Sequence, residues 1–510
     1  MGLWKLVEER AALTPHKTMI VDDYERTITF ADFRNRAERV AQGLVNLGVK
    51  PGQTVAWQLP TRLETVLLLT ALSRLDVRQV PILTLYRERE VGFLLKETRP
   101  EFVFAPGVLR GFDYAGMMER LVRDNGLSTQ VHVAYDEMPE ADPVNLPAAT
   151  TLNDDLERWI FATSGTTSEP KGVCHSDRSL QAAAAAFGKA TGITGDDVCT
   201  VNFPVAHGGG PVAFMQQLMA GFTAVYTEVF QPATAVALYK RHHVTVAGTG
   251  LPFYLAYLGE QRKQPGQKII PTLRLITGGG APKPPTVYFH VKEEIGVPIL
   301  HAWGMTEGLI LTHNRPDNTD EQRAYTDGRP VEGVELRIRD AEGRDVHAGQ
   351  DGEIFVKGPM MFKRFTSASL TAESIDQQGF YRTGDYGRLR EDGQLVITGR
   401  IKDIIIRKGE NISAAEIENV LHKHPKVAEV AVVGIADEER GERACAVVVS
   451  RGDERLTFDE MVKACQADQV ARFKIPEQLE FVSELPRNST MKILKTKLRE
   501  EMAKRPWTQQ

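Results

Sequence analysis

The chain has 510 residues, a formal net charge of −5, 42% hydrophobic residues and 25% charged residues. These values are typical of a globular protein of about three to four domain-sized units, and they exclude a disordered chain. The slight excess of acid argues against nucleic-acid binding. The four scattered cysteines form neither a zinc motif nor a disulfide framework, and they fit a reducing compartment.

The ends of the chain carry no recognisable address. Lys5 and Glu8 stand where a signal peptide needs its apolar core, and no run of about 18 apolar residues predicts a transmembrane segment. The last residues, WTQQ, do not match a peroxisomal or endoplasmic-reticulum signal. We therefore expect a cytoplasmic protein.

Residues 1–400 alternate helical patterns with short apolar runs. An amphipathic helix is predicted over 39–47, followed by a strand over 54–57, and later strands are predicted over 244–247 and 273–276. This alternation indicates α/β layers with mainly parallel sheets. From Asp327 the pattern changes to shorter β-type segments with Gly turns, which predicts an antiparallel, barrel-like piece.

Residues 401–510 predict a separate unit of ordinary domain size that reads strand, helix, strand, strand, helix, strand, helix. The polar segment 399–403 lies between apolar strands and suggests a hinge. The predicted fold class is therefore α/β. A large N-terminal domain (1–400) combines layered α/β sheets with a small β-barrel-like subdomain, and a small mobile α+β domain (401–510) follows it.

The segment FATSGTTSEPKGVCHS (161–176) is suited to binding a polyphosphate. It follows an apolar strand (159–162) and precedes an alanine-rich helix (180–187), for which Ser176-Asp177 supplies an N-cap. Its glycines, Gly165 and Gly172, let backbone N–H groups turn inward, its hydroxyls add donors, and Lys171 adds a positive charge.

Two other interpretations of this segment exist. A Walker P-loop requires Gly before the lysine and a hydroxyl after it, but the chain has Pro170 and Gly172 at those positions. An ordinary polar turn has a similar composition. The segment alone favours a functional loop only modestly.

Four further motifs follow in order: WGMTE (303–307), YRTGD (381–385), GRIKD (399–403) and PRNSTMKI (486–493). With the loop at 161–176, the chain resembles the adenylate-forming superfamily of acyl-CoA synthetases, firefly luciferases and peptide-synthetase adenylation domains. The resemblance spans essentially the whole chain. It implies that a carboxylic acid reacts with ATP to give an acyl-adenylate and pyrophosphate.

The resemblance implies a role for each motif. Lys492 would be the catalytic lysine that bridges the carboxylate and the α-phosphate, and Thr306 and Glu307 would contact the α-phosphate and hold Mg²⁺. Trp303 would stack on adenine, Asp385 would accept both ribose hydroxyls and Arg400 would donate to the ribose. The implied ATP-binding residues are Thr163, Ser164, Gly165, Thr166, Thr167, Ser168, Lys171, Gly279, Gly280, Ala281, Pro282, Trp303, Gly304, Met305, Asp385 and Arg400. Without the resemblance, the glycines at 278–280 are equally well explained as a tight turn, and a structural role for Tyr381 and Arg382 is at least as well supported as a functional one.

The segment from Phe203 to His207 resembles the pattern of acyl- and aryl-CoA ligases, in which the histidine lies beside the acyl carboxylate and is counted with the catalytic residues. It contains no acid for a substrate ammonium, which argues against amino-acid activation. A lone His in an apolar stretch is also often a hydrogen-bonded core residue. The expected pocket for an apolar acyl group comprises Phe203, His207, Gly208, Gly209, Gly308 and Leu309.

The second half-reaction requires the small domain to swing, and the resemblance implies a hinge at Lys402. Lys408 and Gly409 would line the tunnel for the pantetheine arm of coenzyme A, although Gly409 could also serve a hairpin turn. The sequence departs from the family's usual pattern at three positions. Ser168 and Met491 replace usual glycines, and Asp76 stands where glycine is common.

Three functions remain open at this stage. The leading one is an acyl-CoA ligase that uses ATP, Mg²⁺ and the co-substrate CoA to activate an apolar medium-chain, cyclic or aromatic acid. The second is an enzyme that stops at the adenylate or passes the acyl group to a separate carrier protein or to oxygen. The third is a catalytically silent nucleotide-binding relative. The oligomeric state, including a homodimer, stays open.

Overall fold

The computed structural model describes residues 2–149, 153–163, 170–407, 410–437, 440–487 and 493–507. Up to residue 330, strands alternate with helices as the α/β pattern predicts. The strands are β1 (Thr18–Asp22), β2 (Thr27–Thr29), β3 (Thr54–Trp57), β4 (Arg78–Pro81), β5 (Phe102–Ala105), β6 (Val108–Leu109), β7 (Phe112–Asp113), β8 (Gln130–Val133), β9 (Glu157–Thr163), β10 (Lys171–Ser176), β11 (Val198–Val201), β12 (Thr223–Tyr226), β13 (Val246–Ala247), β14 (Leu275–Gly279), β15 (Ile299–Trp303), β16 (Thr312–His313) and β17 (Arg329–Pro330). The helices are α1 (Leu3–Leu13), α2 (Phe30–Asn46), α3 (Leu63–Arg74), α4 (Glu88–Thr98), α5 (Tyr114–Asp124), α6 (Asp177–Thr191), α7 (Gly209–Ala220), α8 (Pro232–Arg241), α9 (Leu251–Arg262), α10 (Pro285–His290) and α11 (Asp320–Tyr325).

Shorter antiparallel segments follow, and then the C-terminal unit. The antiparallel part contains β18 (Glu335–Arg339), β19 (Gly352–Lys357), β20 (Arg364–Phe365), α12 (Ala368–Ser374), β21 (Tyr381–Leu389) and β22 (Leu395–Arg400). The C-terminal unit contains β23 (Ile405–Arg407), β24 (Glu410–Ile412), α13 (Ala414–Leu421), β25 (Val427–Asp437), β26 (Gly441–Ser450), α14 (Phe458–Ala467), β27 (Gln478–Phe481) and α15 (Lys495–Ala503).

Two large sheets form most of the N-terminal part. In one, the order is β17-β16-β15-β14-β13-β11-β12-β1-β2, with a parallel centre from β15 to β1 and antiparallel edges. In the other, the order is β20-β10-β9-β4-β3-β5-β8. The central strands are buried on both faces, as β3 shows with four buried residues in a row. The predicted barrel-like piece is an antiparallel sheet ordered β18-β19-β21-β22.

The C-terminal sheet separates two cores. Along β25, Val430 and Val432 pack on one side with α13 and α14, whereas Ala431 and Val433 pack on the other side with α15. This alternation follows from the two-residue period of a strand, with both faces covered by helices. The large N-terminal and small C-terminal parts agree with the predicted fold class.

The segment that follows the predicted polyphosphate loop differs from the helix that the sequence suggested. A second strand, β10, follows the loop and pairs antiparallel with β9, with Lys171 opposite Thr163. Helix α6 begins only after β10, and Ser176 caps it by accepting a hydrogen bond from the Ser179 N–H. Lys171 therefore belongs to a strand, where its position is set by β-sheet register.

Chain segments meet closely at the junction between the two parts. β22 ends at Arg400 and runs directly into a 3₁₀ turn, Ile401–Asp403. Arg499 pairs with Asp403 across 2.8 Å, and the Ser413 hydroxyl donates to the Thr398 carbonyl. In the part of the chain that the structure describes, no helix is both long and apolar enough to cross a bilayer.

Two helical glycines provide a test of the packing. In α2, a Cβ on Gly43 would overlap the carbonyl oxygen of Pro139, whereas a Cβ on Gly259 in α9 would meet nothing within 4 Å. We expect Gly43→Ala to lower the free energy of unfolding by about 1–3 kcal/mol, because backbone must move to admit the methyl group. Thermal unfolding monitored by circular dichroism measures this loss.

Gly259→Ala is the matched control. It should raise the free energy of unfolding by roughly 0.5–1 kcal/mol, because alanine has the higher helix propensity and the site is open. Equal effects of the two substitutions would contradict the close contact of α2 with the segment at Pro139.

Candidate active site

Glu307 lies in a recess where three separate segments meet. Its side chain is partly accessible, yet loss of solvation raises the pKa of its carboxyl group. A hydrogen bond with Tyr381 and the positive charges of Lys171 and Arg400 act in the opposite direction and favour the ionised form. Because Lys171 on β10, Tyr381 on β21 and Arg400 at the end of β22 all act on this carboxylate, the three segments surround it.

His175 anchors the backbone of the Thr306–Glu307 motif. Its Nε2 lies 2.7 Å from the carbonyl oxygen of Thr306, and its Nδ1 lies 2.9 Å from the Ser179 hydroxyl. Because a carbonyl can only accept, Nε2 carries the proton. Burial lowers the pKa of His175 to about 4, so the ring is neutral and holds one tautomer. The sequence analysis did not single out this residue.

Trp303 and Asp385 form a fixed pair at the end of β15. The indole Nε1–H of Trp303 donates to Oδ2 of Asp385 at 2.9 Å, and the Arg400 Nε is 2.9 Å from Oδ1. Asp385 and Arg400 also face each other across β21 and β22. Trp303 is buried as the last residue of a strand, so its ring is held in place by the acid predicted to bind ribose.

The glycine segment after β14 combines packing with open space. A Cβ on Gly279 would overlap the carbonyl of Ala302 on β15, so only glycine allows these strands to approach. Gly280 has a φ of +84°, and nothing lies within 4 Å of the position of its Cβ. The packing explanation left open by the sequence therefore applies to Gly279, whereas a role of Gly280 in a base slot stays a prediction. Ala281 and Pro282 continue this segment towards Lys283.

Gly172 is required for packing of the β10 edge. A Cβ there would lie 2.6 Å from Cγ2 of Thr366, and the Thr366 N–H donates to the Gly172 carbonyl at 2.9 Å. The sequence interpretation assigned Gly172 to turning backbone donors towards phosphate. Its position inside β10 instead lets the segment after β20 pack against the strand.

The residues of the predicted acyl pocket come together. A Cβ on Gly208 would lie 3.3 Å from Cδ2 of Leu309, and one on Gly209 would lie 3.8 Å from the Phe203 ring. Met305 belongs to the same turn, since the Leu309 N–H donates to the Met305 carbonyl. Gly304 and Gly308 complete this turn, where a Cβ on Gly304 would overlap the Leu309 carbonyl.

His207 faces this pocket as a neutral donor. Its ring is accessible to solvent, but the surrounding protein lowers its pKa. The Gly209 N–H donates to Nδ1 at 3.2 Å, which leaves the proton on Nε2. The alternative of a buried core histidine does not fit this exposure.

Several predicted residues lie outside the described part of the chain. These are Ser164, Gly165, Thr166, Thr167, Ser168, Lys408, Gly409, Met491 and Lys492. The backbone of Lys402 lies in the Ile401–Asp403 turn, two residues after Arg400, where β22 ends. Among the described residues, no cluster of three or more His, Cys, Asp or Glu side chains could hold a metal ion.

Comparison with known proteins supports one family. The model of the AMP-binding enzyme family matches residues 7–366, and that of the AMP-binding enzyme C-terminal domain matches residues 416–492. A medium-chain fatty-acid–CoA ligase of Escherichia coli K12 is 29% identical, covering 98% of this chain and 90% of its own. A salicyl-AMP ligase/salicyl-S-ArCP synthetase of Mycobacterium tuberculosis is 32% identical, covering 96% and 88%.

The fold comparison agrees. The crystal structure of ATP-bound MatB from Rhodopseudomonas palustris superposes with a TM-score of 0.89 and 27% identity, covering 99% of both chains. The chain therefore belongs to the AMP-binding enzyme family, within the adenylate-forming superfamily and close to its acyl- and aryl-CoA ligases.

Proposed function

We propose that this protein is an ATP-dependent acyl-CoA ligase that activates an apolar carboxylic acid through an acyl-adenylate. The observation that carries the proposal is the convergence of Glu307 with Lys171, Arg400 and Tyr381 in one recess. The Glu307 carboxylate beside the Lys171 and Arg400 cations is suited to bind ATP together with its Mg²⁺ ion, because the two cations attract the phosphates and the carboxylate attracts the metal. Mg²⁺ is commonly held by one or two carboxylates plus phosphate oxygens, which this donor set fits.

Different residues would carry out different parts of the adenylation reaction. Lys171 would bind the leaving phosphates at the edge of β10, and Asp385 would orient the ribose through its remaining lone pairs. Glu307 would hold Mg²⁺, which supplies Lewis-acid polarisation of the phosphates when bound. Lys492 would neutralise charge where the carboxylate oxygen meets the α-phosphorus.

His207 would orient the acid. Its Nε2–H is free to donate to a carboxylate oxygen because Nδ1 already accepts from the Gly209 N–H. Because the imidazole ring is neutral, it forms a hydrogen bond but no ion pair with the substrate carboxylate. The carboxylate oxygen therefore retains its nucleophilic character. Gly208, Gly209 and Leu309 lie beside it and carry no charge, which favours a ring or an alkyl chain over a second charged group.

The acceptor in the second step is proposed to be CoA. Rotation at Lys402 would remove Lys492 from the site and bring Lys408 and Gly409 to line the pantetheine tunnel. Transfer to a carrier protein is the second candidate, because the relative from M. tuberculosis is named for both adenylation and carrier loading. An adenylate-only enzyme would release acyl-AMP without needing either acceptor.

The function is tested first with a panel of acids. Linear, cyclic and aromatic acids are incubated with ATP and Mg²⁺, and AMP release is measured with and without CoA. We expect AMP release to depend on an apolar acid and to increase several-fold with CoA, because the thiol removes the bound adenylate. Acid-dependent AMP release that CoA leaves unchanged would support the adenylate-only or carrier function. No release across the panel would support the silent relative.

Lys492→Ala separates the two half-reactions. We expect acid-dependent ATP–pyrophosphate exchange to fall by several orders of magnitude, because the charge at the reacting oxygens is no longer neutralised. Supplied acyl-AMP should still react with CoA at close to the wild-type rate. Both steps are measured by chromatography of the nucleotide products.

Two further variants sharpen this result. Lys497→Ala removes an exposed lysine of α15 and should leave both steps intact. Lys402→Pro should spare exchange and slow thioester formation, because proline restricts rotation at the proposed hinge. Equal damage to both steps in Lys492→Ala would contradict the two-position mechanism.

Tyr381→Phe tests the environment of Glu307. The Tyr381 hydroxyl lowers the pKa of the Glu307 carboxyl by hydrogen bonding, so its removal should raise that pKa further. The ionised form would then be lost at a higher pH as the solution is acidified. We expect the acid limb of pyrophosphate exchange to move to higher pH and the Mg²⁺ requirement to increase, measured as a pH profile at fixed Mg²⁺.

Tyr386→Phe on the same strand is the control, since its hydroxyl is not among the groups that act on Glu307. Its pH profile should match the wild-type profile. If Tyr381→Phe also leaves the profile unmoved and lowers only thermal stability, the hydroxyl has a purely structural role.

A further inference from the structure

Asp327 is an acid within electrostatic range of Asp385 to which no role has yet been given. Its backbone is held from two sides, because the Asp327 N–H donates to the Leu395 carbonyl at 2.8 Å and the Thr312 hydroxyl donates to the Asp327 carbonyl at 2.5 Å. The Ile397 N–H donates to its Oδ2 at 3.0 Å. The side chain therefore has a fixed direction before any ligand binds.

The Asp327 carboxyl group is accessible yet poorly solvated. Its side chain is partly exposed, and burial raises its pKa to about 6. The charges that act on it come from Lys283, which favours ionisation, and from Asp385, which opposes it. Lys283 is itself buried and donates from Nζ to the Ala324 carbonyl at 2.9 Å. Asp327 is thus a partly exposed acid within electrostatic range of Lys283 and Asp385.

These contacts place Asp327 between the two walls of the predicted base slot. One wall is Trp303, which pairs across the strands with Thr312, the residue that holds the Asp327 backbone. The other is the segment 279–282, which leads directly into Lys283. Asp385, which accepts from the Trp303 indole, marks the ribose end. An acid between these groups lies beside the edge of a bound purine.

The chemical groups of ATP determine which part of the nucleotide the Asp327 carboxylate can bind. A carboxylate repels phosphates, and the ribose hydroxyls are already predicted to donate to Asp385. Adenine offers a 6-amino group with two N–H donors, whereas a 6-oxo purine would place an acceptor oxygen against the carboxylate. We propose that Asp327 accepts a hydrogen bond from the 6-amino group of adenine and so selects adenine over 6-oxo purines. This inference rests on ATP binding in the proposed function.

A purely structural role for Asp327 makes a different prediction. A carboxylate that only stabilises the loops around it affects every nucleotide equally when it is replaced. Base recognition affects only the nucleotide that carries the 6-amino group. The comparison of nucleotides therefore separates the two roles, and the absolute affinity of a variant does not.

The test measures binding of Mg²⁺ complexes of ATP, inosine triphosphate and purine riboside triphosphate to the full chain by calorimetry, without an acid. Purine riboside lacks any group at position 6. The wild-type chain should bind ATP about ten- to a hundred-fold more tightly than purine riboside triphosphate, the range for a hydrogen bond to a charged group. Inosine triphosphate should bind most weakly.

Asp327→Asn keeps an acceptor for the Ile397 N–H and supplies an amide donor. We expect its preference for ATP over inosine triphosphate to fall at least about ten-fold, because the amide N–H₂ can donate to the 6-oxo oxygen. Asp351→Asn, at an exposed acid paired with Arg388, is the control and should retain wild-type discrimination.

Several results would overturn the inference. Equal affinity of the wild-type chain for ATP and purine riboside triphosphate would do so without any variant, as would a parallel loss for all three nucleotides in Asp327→Asn. In both cases ATP still binds, and the proposed function stands. A wild-type chain that binds no ATP would overturn the proposed function together with this inference.

Discussion

The placement of carboxylates in a poorly solvated cleft is the constraint on which the rest of this structure depends. Glu307, which we propose binds a cation, lies in a place where water no longer stabilises its charge. Lys171 from β10, Arg400 from β22 and the Tyr381 hydroxyl from β21 compensate for this loss. Each group comes from a different strand, so the site exists only when both large sheets and the antiparallel sheet are assembled. The carboxylate therefore depends on the whole N-terminal part.

Hydrogen bonds between strands fix the positions of the charged groups around Glu307. His175 links β10 to the Thr306 carbonyl, and Trp303 links β15 to the acid on β21. Glycine at 279 allows β14 and β15 to approach closely, so the base slot and the Trp303 wall share one sheet. Hydrogen bonds from the His175 ring and the Trp303 indole join these strands. The movement in the proposed cycle is therefore assigned to the junction at Ile401–Asp403.

Much of the fold could be predicted from hydrophobic period. The strand over 54–57 has the predicted bounds, and the C-terminal unit follows the predicted order of elements apart from the additional short strand β24. Other elements were longer or shifted, as with the helix predicted over 39–47, which belongs to α2 (Phe30–Asn46), and the strand predicted over 273–276, which is β14 (Leu275–Gly279). β10 was missed because a short strand after a polar loop has no period of its own. The pairing of β10 with β9 depends on contacts across the loop, and the local sequence pattern does not predict such contacts.

The sequence by itself determined the order of motifs, the layered α/β class and the set of residues that carry charge, because these depend on local periodicity and residue type. Only the tertiary structure decided which of those charges face one another. It lowered the pKa values of His175 and His207, bound the Trp303 indole to Asp385, and brought Asp327 within electrostatic range of Lys283. Solvation and electrostatic pairing depend on distances between segments far apart in the chain, and those distances exist only once the sheets have packed.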